Sequence, residues 1–208
     1  MWQGGNRIAA KQIDIDRDQQ TLHASGDVVS ELLDNKNQDS TGEATTLQDG
    51  AIAVPVSTNA PTALYTIVQA PELAYRDDLR EALYTGGVTL VRNKMTVKAD
   101  QMRAFLTPKP PPGSAASNDS SLDHAFANGN VVITELVLGN RLRSGKAEHG
   151  EYYTKDDKVV LNGGDPQMED SLKGVTKGRE LTYFSGDDHL VVKGETKKTA
   201  FTRMKKKK

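Results

Sequence analysis

Leu181-Thr-Tyr-Phe-Ser-Gly-Asp-Asp-His-Leu-Val-Val-Lys-Gly194 is the stretch whose reading decides the fold. Leu181 and Tyr183 share one face of an extended segment, because side chains in a strand alternate with period two. Gly186-Asp187-Asp188 is turn chemistry, with Gly supplying positive φ and Asp bonding its own backbone. Leu190 and Val192 then give a return strand its apolar face, and Gly194 closes the unit. The same order recurs upstream. Ile13-Asp14-Ile15 leads through Arg17-Asp18-Gln19 to Leu22 and Gly26, and Leu73-Ala74-Tyr75 through Asp77-Asp78 to Leu83 and Gly86. Tyr153 leads through Asp156-Asp157 to Val160 and Gly164. From anchor (Ile15, Tyr75, Tyr153, Tyr183) to glycine (Gly26, Gly86, Gly164, Gly194) the separation is 11 residues each time, which identifies a repeat.

Outward from these units, Asp27 to Leu33 continues as a strand, and Val88 to Val91 and Met95 to Ala99 flank a short turn at Arg92-Asn93-Lys94. Residues 34–62 lose all periodicity apart from a short strand expected at Ala51 to Val56. The segment 107–122 carries Pro108, Pro110, Pro111 and Pro112, which remove ladder donors. Its flanks look like two halves of one repeat, so it reads as a long hairpin loop within a single domain, with a domain boundary as the competing reading. Residues 203–208, ending in four lysines, read as a disordered basic tail. No stretch holds a 3.6-residue apolar stripe; Asp77 to Tyr84 is explained better as turn plus strand. The expectation is a nearly all-β chain of antiparallel hairpins.

A hairpin cannot bury its apolar face alone, so successive hairpins must form a sheet that folds over on itself, as a sandwich, a jelly roll or an incompletely closed barrel. The inward set expected from alternation is Ile13, Ile15, Leu22, Val28, Leu73, Tyr75, Leu83, Val88, Leu90, Val97, Phe126, Val131, Ile133, Val160, Leu181, Tyr183, Leu190 and Val192. It is mostly aliphatic, and aromatics are only 5% of the 208 residues, so such an interior need not close fully and has room for an acyl chain. Ordinary core is the plainer reading of the same pattern.

Other chemistry is absent from the sequence. There is no cysteine, hence no disulfide or thiolate ligand. No phosphate-binding loop, dinucleotide fingerprint or nucleophile elbow occurs. His23, His124, His149 and His189 are far apart, so no metal and no cofactor is expected. The pairs Asp77-Asp78, Asp156-Asp157 and Asp187-Asp188 hold a regular place in the repeat and read as turn residues, not catalytic carboxylates. A formal net charge of −1 and basic residues without interleaved aromatics give no footprint for nucleic acid. Asn118-Asp119-Ser120 fits a glycosylation sequon by chance composition. The opening Met1-Trp2-Gln3-Gly4-Gly5-Asn6 is neither basic nor followed by an apolar run, so any export signal or anchor is expected outside this chain.

The repeat resembles the OstA-like repeat of the lipopolysaccharide-transport (Lpt) periplasmic proteins. Gly26-Asp27-Val28, Gly86-Gly87-Val88 and Gly129-Asn130-Val131 are its closest copies, and the likeness spans most of the chain outside the two long loops. It implies an OstA-like β-jelly-roll, open on one side, that is not an enzyme and carries lipopolysaccharide acyl chains in its apolar groove. It also implies a periplasmic location and partners of the same kind, the bridging A-type or the membrane-anchored C-type. Edge strands at Arg7 to Ile15 and Leu190 to Phe201 would pair with other jelly rolls or head to tail with a second copy. Lys193, Lys197 and Lys198 are an alternative gatekeeper of the last edge. The runner-up reading is a structural or adhesive β-repeat module with a closed core; a carbohydrate-active β-fold stands third, disfavoured by the sparse aromatics.

Overall fold

The computed structural model describes residues 6–34, 64–108, 121–137, 141–194 and 200–204. Each hairpin of the repeat becomes two strands of one antiparallel sheet of fourteen. The strands are β1 (Arg7–Ala9), β2 (Gln12–Asp16), β3 (Thr21–Asp34), β4 (Leu64–Arg76), β5 (Glu81–Arg92), β6 (Met95–Leu106), β7 (Leu122–Val137) and β8 (Arg141–Tyr153). Six short strands follow: β9 (Lys158–Asn162), β10 (Gln167–Asp170), β11 (Gly174–Lys177), β12 (Glu180–Phe184), β13 (His189–Lys193) and β14 (Phe201–Met204). No helix occurs among the described residues.

In the units before Gly163 the glycines of the repeat do not end strands; they bend them. Gly26-Asp27, Gly86-Gly87 and Gly129-Asn130 all have positive φ, and each pair opposes a single residue of a neighbouring strand, Pro71, Asp100 and Glu148 respectively. Two residues against one is a β-bulge, which sharpens bend and twist together. At Gly86 (φ +89°) an added Cβ would also lie 2.9 Å from the Pro71 ring, so only glycine fits. Because the bulges align across β3, β5 and β7, every long strand crosses from one layer of the sheet to another at the same level.

The first layer therefore holds β2, the Thr21–Ser25 part of β3, and on through the equivalent halves of β4 to β8 to β9, β12 and β13. The second holds β1, the complementary halves, and then β10, β11 and β14. The two layers share one apolar core. The bulges are the fold line of this jelly roll, and the opposite side, where hairpin tips of both layers meet, is its mouth. Among the described residues β1 and β2 pair only with β3, β13 only with β12, and β14 only with β11, which leaves the described sheet open at both ends.

The hairpin tips repeat as the glycines do. Gln20, Arg80, Asp157 and Asp188 take the left-handed conformation (φ 43–56°), each closing a four-residue turn. Asp16 braces the first turn by accepting from the N–H groups of Asp18 and Gln19 at 2.9 Å. The left-handed residue lies five positions beyond Ile15, Tyr75 and Tyr183. In the fourth unit that rule selects Tyr152, not Tyr153, and the 11-residue spacing then ends on Gly163.

Two boundaries differ from expectation. Arg203 and Met204, placed by the sequence reading in the tail, form part of β14 and pair with Val175 and Gly174 of β11. The last edge is two strands, β13 and β14, one in each layer, instead of a single strand from Leu190 to Phe201. β6 and β7 pair up to Leu106 and Leu122, with the Thr107 N–H donating to Ser121 O at 2.9 Å. The expected strand at Ala51 to Val56, the Asn118 sequon, Lys197, Lys198 and Lys205 to Lys208 lie outside the described residues.

Candidate functional site: the trough between the layers

Eleven of the eighteen residues expected inside are buried between the layers: Leu22, Val28, Leu73, Tyr75, Val88, Leu90, Val97, Val131, Ile133, Leu181 and Tyr183. Leu190 and Val192 face the same way from β13, opposite Tyr183 and Leu181, and pack partly against the core. Ile13 and Ile15 oppose Ala24 and Leu22, so they face inward too, but β2 is an edge and leaves them 42% and 48% exposed.

Leu83, Phe126 and Val160 are on the outer face, a correction with one cause. Each is three positions before the first glycine of its unit, Gly86, Gly129 or Gly163, and the inward residues are those on either side of it: Ala82 and Tyr84, Ala125 and Ala127, Val159 and Leu161. Alanine beside a larger apolar residue invites a register slip of one, which exchanges the faces of a strand. Phe126 instead joins an outer aromatic row: His124 stacks on Phe105 at 4.5 Å between centroids, Phe126 sits edge-on to Phe105 at 5.8 Å, and Lys158 caps Tyr153 at 4.1 Å.

The interior is not uniformly filled. Between the layers toward the C-terminal half lies a cavity of about 550 Å³, walled by Met95, Ile133, Val159, Leu161, Met168 and Tyr183, with Arg92, Lys94 and Arg143 at its mouth. A second, of about 330 Å³, shares Arg143, Met168 and Tyr183 with the first and runs between β11, β13 and β14 past Leu190, Val192 and Met204. Together they form a trough open along the mouth and at the β13/β14 end. Gly145 lets the layers approach on its floor: a Cβ there would lie 2.6 Å from Leu161 Cδ1 across the gap.

The mouth carries charges that period-two reading did not select. Arg141 and Arg143, on β8 in the second layer, pair with Asp170 of β10 and with Asp188, which belongs to the β12–β13 turn of the first layer. Glu135 also bonds Arg143 at 3.3 Å, Lys173 reaches Asp188 at 2.7 Å, and the Arg143 guanidinium lies 4.1 Å over the Tyr183 ring. This is an ionic clasp across the trough. Burial alone would raise the carboxyls of Asp170 and Asp188. For Asp170, bonds from Arg141 and from the N–H groups of Lys173 and Leu172 outweigh it. For Asp188, bonds from Arg141, Lys173 and Arg143 do the same, and both carboxyls are held well below the usual carboxylate range. Burial pushes the Tyr183 hydroxyl up to about 12, with Glu135 adding to the shift and Arg143 opposing it. The visible signal was Arg141-x-Arg143, two cations at strand spacing on an otherwise apolar face.

The aspartates read as turn residues do occupy turns, and they also brace. Asp77 is buried and accepts from the Tyr75 hydroxyl at 2.9 Å and from Arg80 at 3.2 Å. Asp157 accepts from the Tyr152 hydroxyl at 3.2 Å. Lys193, 56% exposed on the edge strand β13, pairs with Glu180 on β12 at 2.6 Å. Among the described residues, no cluster of three or more His, Asp or Glu could hold a metal ion, and no helix is long and apolar enough to cross a membrane.

Comparison with known proteins gives the same architecture. The family model described as the LptA/(LptD N-terminal domain) lipopolysaccharide-transport protein matches residues 67–189. Among solved structures, this chain is similar to LptH from Pseudomonas aeruginosa, the LptA-homologous periplasmic component of a lipopolysaccharide-transport device. The TM-score is 0.54 at 11% identity, covering 67% of this chain and 94% of that one. No curated protein matches the sequence.

Proposed function

The chain belongs to the LptA/LptD N-terminal-domain family of lipopolysaccharide-transport proteins, whose model covers more than half of it, and from that premise we propose a non-enzymatic periplasmic carrier that holds acyl chains in the trough. The observation that supports this reading is the pair of adjoining cavities between the two layers, walled by Met95, Ile133, Leu161, Met168, Leu190 and Val192, that side chains leave unfilled. A closed-core structural module would fill that space with side chains.

Magnitudes favour carriage over storage. Each buried CH₂ contributes about 0.8 kcal/mol, so a twelve-carbon chain gives roughly 10 kcal/mol gross. Association costs of about 4–15 kcal/mol offset most of it. One chain binds marginally, several bind usefully, and exchange along the trough stays feasible. The edges supply the second half of the proposal. β2 and β14 are exposed throughout, with Ile13, Ile15, Phe201 and Met204 carrying apolar surface to the two ends of the sheet. Unpaired edges of this kind add strands from a partner. Head-to-tail pairing with a like jelly roll or a second copy joins the troughs into one bridge between the membranes.

Photocrosslinking from Leu161 and Tyr183 inside, and from Phe126 and Val160 outside, tests the carrier reading in cells that make lipopolysaccharide. Adducts from the interior pair alone are expected. No adducts from a folded, exported protein, or equal adducts from both pairs, overturn it. For the bridge, strict monomers at high concentration with no uptake of a partner jelly roll would count against edge pairing.

A further inference from the structure

The ionic clasp has a chemistry of its own. Three cations, Arg141, Arg143 and Lys173, converge on Asp188. The other carboxylate of the clasp, Asp170, is 8% exposed and built in: besides Arg141 it accepts from the N–H groups of Leu172 and Lys173, both at 2.9 Å, so leaving would orphan two backbone donors. Asp188 is different. Its side chain is 36% exposed, it sits on a hairpin tip of the opposite layer, and the bonds it accepts come from the three cationic side chains. It is thus the replaceable anion of the set. Arg141, Arg143 and Lys173 balance Asp170, Asp188 and Glu135 one for one; with Asp188 swung out, the pocket it vacates carries a net positive charge.

What lies behind the clasp decides what would replace Asp188. The 330 Å³ cavity has these cations at one end and Met168, Leu190, Val192 and Met204 at the other. That is the shape of an amphiphile with an anionic head at the mouth and its chain running inward. A phosphate monoester brings about −1.5 to −2 charges and three acceptor oxygens, against one charge and two oxygens for a carboxylate. Guanidinium groups pair with it in two-point fashion.

We infer that Arg141, Arg143 and Lys173 form a headgroup site for a phosphorylated amphiphile, and that Asp188 occupies this site as an internal substitute when no cargo is bound. The inference rests on the carrier reading above and names the part of the cargo that the mouth recognises. Exchange of Asp188 for the cargo phosphate releases the β12–β13 tip from the second layer, so binding the head and opening the trough are one event.

The test compares dodecyl phosphate, dodecanol and inorganic phosphate, each below any micelle-forming concentration, by calorimetric titration of the full chain. Dodecyl phosphate is expected to bind at least about tenfold more tightly than dodecanol, from its charge-assisted bonds, with inorganic phosphate showing no binding. Lys173→Gln, at a side chain 61% exposed and safe for folding, removes much of that preference. Asp188→Asn keeps a residue tolerant of the left-handed backbone and strengthens dodecyl phosphate several-fold, by more than it strengthens dodecanol. Equal binding of dodecyl phosphate and dodecanol overturns the headgroup site and leaves the carrier reading standing. Inorganic phosphate binding as tightly as dodecyl phosphate overturns it in favour of a free-phosphate site. Binding of neither amphiphile also overturns the headgroup site, and the trough then stands or falls on the crosslinking.

Discussion

The two halves of this sheet solve the same problem differently. From β3 to β6 the strands are 12 to 14 residues long, cross the fold line without interruption, and supply nine of the twelve largest fully buried side chains, Tyr84, Leu32, Leu73 and Met102 among them. From β9 onward the strands are four or five residues long and the fold line falls between strands, at Gly163-Gly164, at Gly178 and at Gly194. A continuous ladder through the bend holds the layers at a fixed angle, and side chains fill the gap. Core gives way to cavity between the long strands β6 to β8, whose Met95, Ile133 and Tyr152 line the larger cavity, and the short strands carry the trough on to the β13/β14 end, where charges replace packing between the layers.

The contrast is sharpest in the core itself. Leu73→Ala in the packed half is expected to cost about 3–5 kcal/mol, because its neighbours cannot collapse into the space. Met168→Ala on the trough wall is expected nearer 2 kcal/mol, since cavity already adjoins it. Equal losses in urea unfolding would break the distinction. The fold line gives the next effect. Gly86→Ala meets Pro71 at 2.9 Å and a φ of +89°, for about 2–3 kcal/mol. Gly164→Ala, at φ +63° with its nearest atom at 3.1 Å, is expected to cost about 1 kcal/mol.

The clasp makes the open half acid-sensitive. Asp170 and Asp188 titrate lower in the folded protein than in the unfolded chain. As pH falls below about 4 the unfolded state takes up protons first. Stability is therefore whole at neutral pH and declines below pH 4, and Asp170→Asn, already weakened at neutral pH, shows a shallower decline. A wild-type acid profile as shallow as the variant's would remove the clasp from the account. The smallest effect belongs to the packed half. Tyr84 is fully buried; burial pushes its hydroxyl up to about 12 with the adjacent Ser30 hydroxyl opposing, and neither hydroxyl makes a hydrogen bond of normal geometry among the described residues. Tyr84→Phe is expected to leave thermal stability unchanged or raise it by up to about 1 kcal/mol, by relieving an unmet donor.

How legible this was in the chain follows the same division. Where one face of a strand was plainly apolar, as at Leu22, Leu73, Tyr75, Val88 and Leu90, alternation placed the residues inside, and the glycine spacing carried the repeat. It failed at Leu83, Phe126 and Val160 because each is an apolar residue on an otherwise polar outer face, flanked by Glu81 and Thr85, His124 and Asn128, or Lys158 and Asn162, while Ala82, Ala125 or Val159 beside it took the inner position. The bends were visible as glycines but read as strand ends, since only pairing with Pro71, Asp100 and Glu148 reveals a bulge. The clasp was invisible for a different reason: Arg141 and Asp188 are 47 residues apart and meet only once the sheet has folded over.

The pairing order has a consequence for how the molecule is made. β3 through β8 pair each with its immediate successor, so chain folding can proceed as successive hairpin additions with little loop-closure cost beyond the two long connections. A chain delivered N-terminus first can complete the β3–β6 half while the rest is still emerging, and that half then serves as the template on which later strands dock. Toward the C-terminus the pairing skips back instead, β10 returning to β8, β12 to β9 and β14 to β11. They come last, so the walls of the trough are assembled onto a finished scaffold, and a slow final phase in refolding belongs to them.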